Sequence, residues 1–109
     1  MFKLQPAPTF DATVPLSVPG LAEPLGVTFT FRHKNKTQLA TWLTAAAGKQ
    51  DAALLHEVVT GWQGMQADNG DAEPYSLAAL TTLLENYPTA HSEIFRAYLR
   101  ELSESKRKN

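Results

Sequence analysis

The spacing of hydrophobic positions changes once along this chain. Near the front, Val14, Leu16 and Val18 alternate with polar or proline positions, and Val27, Phe29 and Phe31 alternate with Thr28, Thr30 and Arg32. Alternate residues of a strand share one face, so period two predicts two strands, the second over about 26–33. Pro15 assigns the first to a sheet edge, and Pro19-Gly20 with Pro24 and Gly26 marks the connection between them.

From Asn35 onward the spacing becomes helical. Leu39, Trp42, Leu43 and Ala46 fall at i, i+3, i+4 and i+7, opened by Asn35 with Gln38 three residues later and closed at Gly48. Leu55, Val58, Val59 and Trp62 repeat that pattern behind Asp51, which predicts a second helix over about 51–62. Residues 63–74 are polar, carry three acids and read as a mobile loop. Ser76 caps a third helix whose Leu77, Leu80, Leu83, Leu84 and Tyr87 form a stripe, ended by Asn86 and Pro88. A fourth helix, about 89–104, places Phe95, Tyr98, Leu99 and Leu102 on one side. The expected fold is α+β and predominantly α-helical. It consists of an N-terminal Pro-rich β-hairpin, about 12–33, followed by four short helices, about 36–47, 51–62, 76–86 and 89–104. One domain is expected over 1–109, with an extended segment at 1–10 and a frayed basic tail at 105–109.

Composition narrows the chemistry. Ten Lys plus Arg against eleven Asp plus Glu give a net charge of −1, so no global field draws the chain to nucleic acid or an anionic membrane. No apolar run is long enough for a membrane span, and no secretory signal is recognisable, which points to a cytoplasmic setting. With no Cys there is neither a disulfide framework nor a thiolate nucleophile. His33, His56 and His91 lie on different expected elements without ligand spacing, and no G-x-S-x-G elbow or Walker loop is present. Asp68-Asn69-Gly70-Asp71-Ala72-Glu73 resembles a calcium loop only superficially, because the EF-hand spacing is missing. No catalytic residue, metal or cofactor is therefore expected, and the chain does not read as an enzyme.

Two basic clusters, Arg32-His33-Lys34-Asn35-Lys36 and Lys106-Arg107-Lys108, leave open a small helical regulator that binds nucleic acid. Against it, residues 51–62 carry no Lys or Arg, and the last helix balances its arginines with acids. The aromatic inventory is more informative. Four short helices and a hairpin cannot enclose every large side chain, so surplus apolar surface is expected to meet another protein.

The chain resembles the small tail assembly chaperones of long-tailed bacteriophages and prophages. The resemblance lies in Val14-Pro15-Leu16, in Phe29-Thr30-Phe31-Arg32-His33-Lys34 running into Trp42-Leu43, and in Gly61-Trp62. It continues in Leu83-Leu84-Glu85-Asn86-Tyr87-Pro88 and in Ile94-Phe95-Arg96-Ala97-Tyr98-Leu99-Arg100-Glu101-Leu102. It implies a non-enzymatic role in virion morphogenesis: holding the long, largely helical tape measure protein in solution, helping to recruit tail tube protein, and absence from the finished virion. In many members a ribosomal frameshift adds a longer form. Trp62, Tyr87, Phe95, Tyr98, Leu99 and Leu102 are the residues expected to face this client or to mediate self-association.

Overall fold

In a computed structural model, residues 1–104 are described. Three strands, β1 (Thr9–Leu16), β2 (Leu25–Arg32) and β3 (Val59–Gln63), form one antiparallel sheet in the order β1-β2-β3. Four helices accompany it: α1 (Lys36–Ala45), α2 (Asp51–His56), α3 (Leu77–Asn86) and α4 (Ala90–Ser103).

The sheet has one apolar and one polar face, as period two requires. Ala12, Val14 and Leu16 of β1 and Val27, Phe29 and Phe31 of β2 are buried, and they meet Leu80, Ile94, Ala97 and Tyr98 from α3 and α4. On the other face Asp11 sits opposite Thr30 and Thr13 opposite Thr28. These cross-strand pairs are tied by Thr30 Oγ1 donating to Asp11 Oδ1 at 2.7 Å and by the Thr13 and Thr28 hydroxyls at 3.2 Å. Local signals set the helix starts. Asn35 and Gln38 form a reciprocal capping box on α1, and Ser76 Oγ accepts from Ala79 N at 3.0 Å on α3. Glu93 in the first turn of α4 accepts from the Ser17 amide at 3.1 Å and from its hydroxyl, which pins α4 to the end of β1.

The expected architecture needs three corrections. The chain is not predominantly helical, with 41% helix and 22% strand. The second helix does not reach Trp62: α2 stops at His56, and Val59–Gln63 is the third strand. Val58-Val59-Thr60 are β-branched in succession and suit an extended backbone better than a helix. The free edge of β2 supplies the partners, since Arg32 N donates to Val58 O at 2.7 Å and Phe29 pairs with Trp62. Thr60 is an extra residue in that pairing, a bulge between Phe31↔Val59 and Thr30↔Gly61. Because Leu55, Val58, Val59 and Trp62 fall at i, i+3, i+4 and i+7, the helical spacing hid the strand. Third, the front is not a Pro-rich hairpin. Only Pro15 lies within a strand, at the sheet edge where a missing donor is tolerated, and β1 and β2 are two members of a three-stranded sheet that begins at Thr9. The basic tail 105–109 lies outside the described residues.

One buried phenol, Tyr98, and one half-buried phenol, Tyr75, make stability pH-dependent. Burial pushes Tyr98 up to about 12, and Tyr75 also to about 12 although Arg32 opposes the shift. The native state thus holds protons that the unfolded chain releases near pH ~10. Stability is fully present below that value and is lost as pH rises towards the folded values. Denaturant midpoints should fall from about pH 10 towards pH 12, and Tyr98→Phe should flatten the fall; an unchanged slope in that variant would show that Tyr98 contributes nothing to it.

Candidate partner-binding cleft

An open concavity is built where β3 runs out. Gly64, at φ 91°, turns the chain away from the sheet in a conformation that a side chain would strain. The segment that follows folds back on itself: Ala67 N donates to Asp71 O at 2.8 Å, Glu73 N to Met65 O at 2.9 Å, and Gln66 bridges Ala72. Asn69 Oδ1 accepts from Asp71 N at 3.0 Å, and Gly70 takes φ 88° at the tip.

Trp62 anchors this loop to the body. Its Nε1 donates to Glu73 O at 2.8 Å, and its ring meets Phe29 and Tyr75 edge-on, with centroids 6.0 and 5.0 Å apart. Tyr75 in turn shares a 2.7 Å hydrogen bond with His56 Nδ1. Across from the loop, Ala79, Thr82, Asn86 and the buried Leu83 of α3 line the opposite wall, and Tyr87 follows. Between them lies an open cleft of about 580 Å³, floored by Trp62, Met65, Leu83 and Tyr87 and edged by Asp68, Asn69, Glu73 and Asn86. Among the described residues, acids are the only charged ones lining it. A smaller groove of about 230 Å³ continues from it past Met65 and Tyr87 to Leu16, Val18 and Leu25.

A family model described as phage tail assembly chaperone matches residues 1–109, the whole chain. The protein belongs to the phage tail assembly chaperone family. None of the curated proteins and none of the solved structures compared with it matches. The role it plays is in tail assembly, and its partners are proteins of that process.

The six residues expected to face a partner divide into three groups in this chaperone. Trp62 and Tyr87 come together in the cleft, although one lies on a strand and the other just past a helix. Phe95, Leu99 and Leu102 are half-buried on α4, where Phe95 stacks on Trp42 at 5.3 Å. Tyr98 is fully buried: its ring packs on Phe31 and Trp42, and its hydroxyl donates to Arg32 O at 2.8 Å. It has no surface to offer a partner. Met65 and the outer face of α3 escaped the sequence reading, because a lone Met in a polar stretch carries no periodic signal.

The titratable side chains are dispersed among structural contacts. His91 lies 3.6 Å from Asp51, and Lys49 pairs with Glu57 at 2.7 Å. Among the described residues no three His, Cys, Asp or Glu converge in a geometry that would hold a metal ion, and no helix is long and apolar enough to cross a membrane.

Proposed function

We propose that this chaperone binds the tape measure protein of its phage in the host cytoplasm. It keeps that client soluble, helps bring tail tube subunits to it, acts by binding alone, and leaves before the virion is finished. The observation that carries this reading is the apolar floor of Trp62, Met65, Leu83 and Tyr87 in an open cleft with an acidic and amide rim. Such a trough suits the apolar ridge of an amphipathic helix, with basic residues of the client over the rim.

Magnitudes favour a weak, repeated contact. Burying one or two aliphatic side chains contributes roughly 1.5–3 kcal/mol each, whereas association costs about 4–15 kcal/mol in lost freedom. A single cleft therefore holds a helix loosely, and several copies along one long client raise the total through effective concentration. Loose binding also allows release when tube subunits polymerise.

Trp62 reports on this directly, since the other tryptophan, Trp42, is buried in the core. In a Trp42→Phe variant that retains its fold, a helical tape measure fragment should shift Trp62 emission to the blue in a saturable titration. Emission that stays unmoved at saturating fragment would place the client elsewhere.

A further inference from the structure

We propose that copies of this chain associate head to tail, the segment Met1–Leu4 of one copy seating Phe2 and Leu4 in the groove of about 230 Å³ beside Leu25 of the next. The inference stands on the arm and the groove and does not depend on the client.

The first observation is the arm. Phe2 is 100% exposed and Leu4 93%, and they alternate with Lys3 and Gln5, the pattern of an extended segment with one apolar face. Two large apolar side chains in register, touching nothing, are costly to leave in water.

The second is the groove. Leu16, Val18, Leu25 and Met65 line it together with Tyr87, and Leu25 is 56% exposed. Its volume falls below the roughly 300 Å³ at which small-molecule sites begin. It is instead of a size for one or two side chains.

Geometry rules out the arm's own groove. Pro8 O still accepts from His33 N at 2.9 Å, so the chain enters β1 from the end of the sheet opposite Leu16 and Leu25. Eight residues of β1 separate the two sites, about 26 Å at roughly 3.3 Å per residue. From Pro8, the residue held there, back to Phe2 the chain spans only about 20–22 Å even fully extended. Pro6 and Pro8 favour an extended course there and oppose a reversal along β1. An arm at one end and a receptor at the other make a heterologous contact, and copies joined head to tail propagate into a ring or an open filament. Charge agrees, since Lys3 is the one charged side chain in residues 1–8 and Glu23 the one in the 17–24 connection beside the groove.

The test uses the full chain and two variants, each altered only at exposed positions. In analytical ultracentrifugation from micromolar to millimolar concentration, the unmodified chain should form species that grow beyond dimer. The double variant Phe2→Asp/Leu4→Asp and the variant Leu25→Asp should each lose everything heavier than monomer, with unchanged circular dichroism. Mixed together, they should form a one-to-one dimer and stop, because one retains a groove and the other an arm. An unmodified chain that is monomeric throughout overturns the proposal. So do variants that assemble normally, or a mixture that stays monomeric.

Discussion

Tyr98→Ala should cost the fold about 3–5 kcal/mol, the range for removing a fully buried aromatic side chain. Native domains hold only about 5–15 kcal/mol in total, so this one change is expected to leave a marginal or unfolded protein. The ring fills the junction of three layers: it packs on Phe31 of the sheet, on Trp42 of α1 and beside Phe10 at the start of β1. Its loss also leaves Arg32 O without the phenolic donor. Tyr98→Phe keeps the ring and gives up only the hydrogen bond, a loss of about 1 kcal/mol. Urea unfolding of both variants separates the two contributions, and near-native stability in Tyr98→Ala would remove Tyr98 from the core.

That outcome bears on how a sequence distinguishes core from partner surface. Phe95, Tyr98, Leu99 and Leu102 share one side of α4, and spacing alone cannot rank them. The sheet ranks them, because Tyr98 is aimed at the strand end where Arg32 offers a carbonyl, while Phe95 sits one turn nearer the helix start, half outside, against Trp42. Features fixed by neighbours in the chain were legible. The alternation of Val27, Phe29 and Phe31, the Asn35–Gln38 capping box and the Ser76 cap all appear in the fold. What depended on a distant partner was not legible. Val59–Gln63 becomes a strand because β2 has an edge to pair with, and no local rule registers that edge. The cleft was hidden for the same reason, since Trp62 and Met65 meet Leu83 and Tyr87 only after β3 has carried them beside α3.

Blocking the cleft without disturbing the core is expected to abolish chaperone activity. Thr82 lines the cleft from the exposed face of α3, and its hydroxyl only back-bonds to Ala78 O at 3.1 Å within that helix. Arginine is a better helix former than threonine, and Thr82→Arg lays a long charged side chain across the apolar floor. Trp62→Ala is a poorer probe, because it also removes the Glu73 hydrogen bond and the packing on Phe29 and Tyr75.

The most direct measurement is the soluble fraction of the tape measure protein when it is produced together with this chaperone, unmodified or carrying Thr82→Arg, with both forms checked for equal thermal stability. The cleft account predicts a soluble, co-purifying client with the unmodified protein and an aggregated client with the variant. Equal solubility of the client with both forms would contradict it.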